Sequence, residues 1–322
     1  LHASSTPNIM QESGRLILAW NQKHWQELQE NLHAMQSLCD VSGHMIERDA
    51  QAAYVNSNLY CGGCFFPAHA TIQPTLFHYG LMQKFIAHGG QTRHHADVVA
   101  ITGQRGNFML ALANAEPIHA RQIIVCTNGY TSKALQWWRA RVLAIPSYMI
   151  ATQPLATPQH YIKSATALVE TRSRHCYYRL SPDGTRIILG ARASINNITP
   201  ATATKRLRKL LTSIFPDLHD VEITHSWRGL TGFTYNMIPA TGVQDGIHYA
   251  MGYCGGGVAF APYLGDQIAR VVMGDIALDD LVFAQTGFPP YPLHHAPQVW
   301  RFLGNLQYYM RDFGDFLAKP ES

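Results

Sequence analysis

The chain has 322 residues, 47% of them hydrophobic and 14% charged, enough apolar material for a sizeable core in one large or two interleaved domains and too ordered a composition for a disordered segment. A formal net charge of +4 without any Lys/Arg run gives no footing for nucleic-acid binding. No apolar stretch approaches the roughly 20 residues of a membrane span, and the N-terminus lacks a signal peptide's basic start and apolar core, so the expectation is a cytoplasmic protein with no membrane span.

In chain order, GRLILAW (14–20) reads as a strand. Residues 22–38 follow as an amphipathic helix, with Trp25, Leu28, Leu32 and Met35 near helical spacing. TLFHYGLMQKFIAHGG (75–90) is a helix closed by glycines, with a short strand after it at Asp97–Ile101. RQIIVCTNGYT (121–131) starts as a continuous apolar run and breaks at Asn128-Gly129, the form of a buried strand ending in a sharp turn. Residues 174–191 read as two strands joined at Pro182-Asp183-Gly184, and 200–215 as a helix with a basic, solvated face. GYCGGGV (252–258) then leads into the patterned helix that follows. Glycine loses the most backbone freedom on folding, so three in a row before a helix imply a turn or a close approach that excludes side chains.

The cysteines, Cys39, Cys61, Cys64, Cys126, Cys176 and Cys254, are too sparse for a disulfide scaffold, and reduced thiols are expected. Only Cys61-Gly62-Gly63-Cys64 has zinc or dithiol spacing, and it has no second pair; the histidines lack HExxH spacing, so no metal is expected. The alternation of strands and helices points to a mixed α/β chain in which a dinucleotide-type domain is interrupted by a more antiparallel one.

Five segments carry a family resemblance, in order: YCGGCFFPAHATIQPTLFHYGLMQKFIAHGG, ADVVAI, IHARQIIVCTNGYT, YYRLSPDGTRIILGA, and SWRGLTGFTYNMIPATG with YAMGYCGGGVAFAPYLGDQIARVVMGD. Together they resemble the FAD-dependent oxidoreductases of D-amino-acid-oxidase type, and FLGNLQYYMRDFGDFL is most similar to the branch containing gamma-glutamylputrescine oxidases. The resemblance implies an FAD-binding Rossmann-like domain (62–145 and 226–290), an antiparallel-sheet substrate domain (1–60 and 146–225) and a C-terminal tail (291–322). It also implies an N-terminal truncation, because no GxGxxG unit for the FAD pyrophosphate is present.

By the same resemblance, Gly252, Gly255, Gly256, Gly257 and Val258 lie against the flavin, with free N–H groups of the helix start facing the negative charge of the reduced ring. Val98 opens a strand at the adenine end, and Thr127, Asn128 and Gly129 close a strand beside the cofactor. Gly256 is expected to leave room for the ring. Where related amino-acid oxidases have a carboxylate-clamping arginine and an aspartate, this chain has Thr231 and Asn236. The implied substrate is therefore a small-molecule amine or N-substituted amine, oxidised at its C–N bond with oxygen or another electron acceptor reoxidising the flavin. Candidate substrate-binding residues are Tyr60, Tyr178, Arg179, Trp227 and Tyr253, with Tyr177 as a further aromatic and Arg228 as a further cation. Two alternatives stand beside this: a D-amino-acid or imino-acid dehydrogenase or oxidase of the same fold, and a non-catalytic remnant.

Overall fold

The computed structural model describes residues 9–173 and 176–317. The chain forms two compact units, one built from the chain up to Lys84, Ser147–Gly229 and the stretch from Phe302, the other from Phe85–Pro146 and Leu230–Arg301.

The first unit is organised by a mixed eight-stranded sheet, in the order Ile223–Phe233, Leu143–Thr152, Ile187–Ala191, Tyr177–Leu180, Ala167–Glu170, Arg15–Leu18, Gly63–Phe66 and His44–Ile46. Arg15–Leu18 shows why the sequence reads as a strand: Leu16 and Leu18 are fully buried while Arg15 and Ile17 turn to the other face. Ala167–Glu170 pairs with it in parallel. The hairpin turns where Pro182-Asp183-Gly184 places it, with Leu180 opposite Ile187. Asp183 accepts hydrogen bonds from Ser181 and from the Thr185 N–H, which hold its carboxyl below the usual range, and Gly184 takes a φ of +72°. Arg174 and His175, at the start of the expected hairpin, lie outside the described residues.

Helix Pro200–Ile214 starts with proline at its first position and a Thr199 cap that accepts from the Thr202 N–H at 3.2 Å. Its apolar stripe, Ala203, Leu207, Leu211 and Ile214, packs into the same core as Leu16, Leu168 and Leu189. Each fully buried leucine contributes roughly 1.5–3 kcal/mol.

One boundary differs from expectation. The reading of 62–145 as cofactor domain does not hold at its start, because Gly63–Phe66 pairs with Arg15–Leu18 and with His44–Ile46 inside the sheet of the first unit. Gly63 is needed there, since a Cβ would run into the Ile17 carbonyl. The Cys-Gly-Gly-Cys stretch thus runs into the start of an interior strand: Cys64 is buried, and burial pushes its thiol up to about 11 against a smaller opposing pull from Arg15. Among the described residues no group of His, Cys, Asp and Glu could hold a metal ion, and no helix is long and apolar enough to cross a membrane.

The second unit holds a three-stranded sheet, Ala240–Gln244, Ile247–Met251 and Ile124–Val125. Its first pair is antiparallel and its second parallel. All five residues of Ile247–Met251 are buried, as a strand covered on both faces requires. Tyr249 and Met251 join Phe108, Val125, Leu135 and Trp138 in one cluster, whereas Ala250 packs with Leu264 and Ile268 of helix Gly257–Met273 in another. The short strand expected at Asp97–Ile101 is Val98–Gln104, the first of an antiparallel meander with Asn107–Leu112 and Ile118–Ala120.

Candidate functional site

The second unit places several sequence-predicted residues at the carboxyl ends of its two parallel strands, where open α/β sheets present ligand crevices. Strand Ile124–Val125 runs on into Thr127 and the turn Asn128–Tyr130; strand Ile247–Met251 runs on into Gly252. Asn128 joins the two. Its Oδ1 accepts the Gly252 N–H at 3.0 Å, and its backbone sits at a φ of +45°, a region that asparagine tolerates better than most residues. The neighbouring strand end is shaped to this contact, since a Cβ on Gly232 would collide with Asn128 Oδ1. Gly129 is buried, and a Cβ there would lie 2.8 Å from the Leu230 carbonyl. Thr127 and Thr131 share a hydroxyl contact of 2.9 Å.

From Gly252 the chain makes the glycine turn. Gly255 has a φ of +99° and open space where a side chain would be, so its glycine is set by backbone conformation. Gly256 differs from the expectation that its missing side chain leaves room for a ring. A Cβ there would meet the chain's own Phe260 at 2.8 Å, at an ordinary φ of −86°. Gly256 caps helix Gly257–Met273 and accepts from Ala259 and Phe260, but the N–H groups of Gly255, Gly257 and Val258 have no acceptor among the described residues. The first turn carries no acidic side chain to offset the positive helix end, and Val258 is 55% exposed beside it.

Val98 lines a cleft of about 690 Å3 with Val99, Cys126, Thr127, Tyr130 and Lys133. Burial raises the Cys126 thiol, opposed by a hydrogen bond from the Ala250 backbone. Idle backbone donors, a helix start free of carboxylates and, on the strand that Asn128 follows, a cleft reaching Thr127 fit a planar, electron-accepting ring carried on a larger ligand. No pyrophosphate cradle of GxGxxG type occurs in the sequence.

The expected substrate residues are placed differently. Tyr60 and Tyr178 are core residues of the first unit, 1% and 3% exposed, and do not form an open aromatic wall there. The Tyr178 hydroxyl donates to Tyr60, which donates to Glu170, each at 3.0 Å, and Arg172 binds the same carboxylate through two bonds of 2.7 and 2.6 Å. Burial pushes both phenols well up. Tyr253 is buried too, with its hydroxyl donating to Ala250 O at 3.0 Å. Arg179 donates to the Ile72 carbonyl, and Tyr177 shares a hydrogen bond with Ser147. Trp227 is exposed, and Arg228 is exposed with one nitrogen donating to Asn197 Oδ1. Asn236 is tied to the Thr286 and Gly287 carbonyls.

Sequence reasoning missed an aromatic group in the second unit, Tyr235, Tyr291 and Trp300, whose rings meet edge to face at 5.5–5.8 Å. Only the Tyr235–Thr234 neighbourhood of the Pro239 turn could have hinted at it.

A family model described as FAD dependent oxidoreductase matches residues 2–271. A probable oxidoreductase OrdL from Haemophilus influenzae is 28% identical over 229 residues, 69% of this chain and 52% of that protein. The gamma-glutamylputrescine oxidoreductase of Escherichia coli (strain K12) is 24% identical over 310 residues, 93% of this chain and 70% of that one. The chain spans 52% and 57% of the length of the two OrdL proteins it matches. Among solved structures, a glycine oxidase from Geobacillus kaustophilus superposes with a TM-score of 0.74 at 14% identity, covering 88% of this chain and 78% of the other. An iminodiacetate oxidase from Chelativorans sp. BNC1 does so with a TM-score of 0.69 at 17% identity, over 87% and 78%.

Proposed function

The chain belongs to the FAD dependent oxidoreductase family, and from that premise we propose that its protein oxidises the C–N bond of an amine or N-substituted amine to an imine, which water then hydrolyses. Bound FAD supplies the two-electron acceptor for a hydride from the α-carbon. The residues of this chain orient and stabilise. The N–H groups of Gly255, Gly257 and Val258, at the positive end of helix Gly257–Met273, are donors held ready for the negative charge that a reduced ring gathers. Asn128 fixes Gly252 and so the start of that turn. Val98 and Thr127 line the cleft that receives the remainder of the cofactor. The observation carrying this reading is the set of unpaired donors beside the Asn128 clasp.

On the substrate side, Thr231 cannot replace a guanidinium fork, so a simple amino acid gains no bidentate clamp there and an amine is favoured. Exposed Trp227 offers an accessible aromatic face for a cationic amine. A second reading, oxidation of an amino or imino acid, draws on Arg228, which commits one nitrogen to Asn197 and keeps further donors for a carboxylate. Oxygen uptake or dye reduction by the protein purified from its own gene decides between them. Turnover of amines, unchanged in Arg228→Gln, supports the first reading; turnover confined to amino acids and lost in Arg228→Gln supports the second.

A further inference from the structure

We propose that the second unit carries an oxyanion site, unrelated to the flavin-type donors, in the cleft lined by Arg105, Gly106, Arg121, Gln122 and Val272, and that its ligand is a phosphate group. The cleft holds about 570 Å3. It lies at the beginning of strand Ile124–Val125, whereas Thr127 and Asn128 follow the strand's end.

Two guanidiniums share this cleft, and neither makes a hydrogen bond or an ion pair among the described residues. Arg139, Arg141 and Arg301 of the same unit each donate to main-chain carbonyls. The pair is held by the backbone: the Gly106 N–H donates to the Arg121 carbonyl at 2.8 Å, fastening the turn that carries Arg105 to the segment that carries Arg121. Arg105 is also backed against the 245–246 turn, where a Cβ on Gly246 would lie 3.2 Å from Arg105 Cβ. Asp245 in that turn forms no ion pair with either arginine.

A buried imidazole lies on the strand next to this segment. His248 is 2% exposed, and neither of its ring nitrogens has a hydrogen-bond partner. Its backbone N–H donates to Ile123 O, next to Gln122. Burial lowers its pKa first, and the nearby charge of Arg105 lowers it further. At the end of helix Gly257–Met273 two carbonyls are met by the backbone, Gly274 N–H to Val271 and Asp275 N–H to Arg270, and among the described residues no guanidinium donates to a carbonyl there. Two like charges in one cleft repel, and a tetrahedral oxyanion accepting from both planar forks, with the Gln122 amide as a further donor, removes that repulsion.

The test is calorimetric titration of the full chain with inorganic phosphate and, separately, with glycerol 3-phosphate, at an ionic strength held constant with sodium chloride. The expected result is one saturable site, weakened at least tenfold in Arg105→Gln and in Arg121→Gln, with melting temperatures of both variants at the parent value because both side chains are exposed. Preference for inorganic phosphate identifies a free anion as the ligand; equal or tighter binding of glycerol 3-phosphate identifies a phosphorylated small molecule. Absence of saturation with both compounds, or affinity unchanged in both variants, overturns the proposal.

Discussion

The two units treat polar groups in opposite ways. In the first, a carboxylate 2% exposed is fully spent: Glu170 takes two bonds from Arg172 and one from Tyr60, which accepts from Tyr178, while Arg172 stacks over Trp20 at 4.0 Å. In the second, donors stand idle at both ends of a parallel pair of strands: the N–H groups of Gly255, Gly257 and Val258 beyond the end of Ile247–Met251, and Arg121, with Arg105 beside it, before the start of Ile124–Val125. A satisfied buried network specifies a core, whereas unsatisfied, reachable donors are what a ligand recognises. The contrast assigns stability to the first set and binding to the second.

The largest effect that would break this contrast is in the first unit. Glu170→Ala leaves the half-buried Arg172 and the buried Tyr60 hydroxyl without their partner and should cost about 3 kcal/mol, read as a fall in the urea midpoint. A loss near zero would remove the network from the account. Next is the clasp of the second unit: Asn128→Ala strands the Gly252 N–H and should cost about 1–3 kcal/mol together with flavin content. Asn128→Asp keeps an acceptor and tolerates the left-handed backbone, so it should retain the fold while weakening flavin binding by placing a negative charge beside the donors. If both variants hold flavin equally, the clasp does not position the site.

Acid should also act on the second unit. His248 binds a proton less readily folded than unfolded, so its contribution to stability is present above the unfolded value of 6.5 and is lost as pH falls through that value toward the folded one. His69 in the first unit shifts the same way, again mainly through burial. Urea midpoints should therefore drop between pH 7.5 and pH 5, and His248→Asn should reduce the drop without abolishing it. The smallest effect is on reactivity alone. At pH 8 iodoacetamide should label exposed Cys39 in the native protein and leave Cys64, with its thiol at about 11, untouched until the chain unfolds.

Local chemistry made much of this legible in the sequence. Helix Gln22–Leu38 matches its expected limits because Asn21 caps it, accepting the His24 N–H at 2.8 Å. The Gly255–Val258 turn and the Asn128 turn were readable because glycine and asparagine mark unusual backbone within a few residues. What the sequence hid is long-range. Asn128 and Gly252 are 124 positions apart, and Tyr60 and Glu170 are 110 apart. Tyr60, Tyr178 and Tyr253 read in the sequence as candidate substrate-binding rings and are buried in the structure, because an aromatic residue announces burial or recognition without saying which.

The most direct test of the central claim is Val258→Asp, read by FAD fluorescence quenching and by melting temperature. An aspartate in the first turn of helix Gly257–Met273 complements the helix end and should hold or raise stability, by about 0.3–1 kcal/mol. The same charge competes for the free N–H groups, so the account predicts saturable quenching by the parent protein purified from its own gene and at least a tenfold loss of affinity in the variant, with the melting temperature maintained. Equal quenching by both chains, or none by the parent, would contradict the assignment of these donors to the flavin.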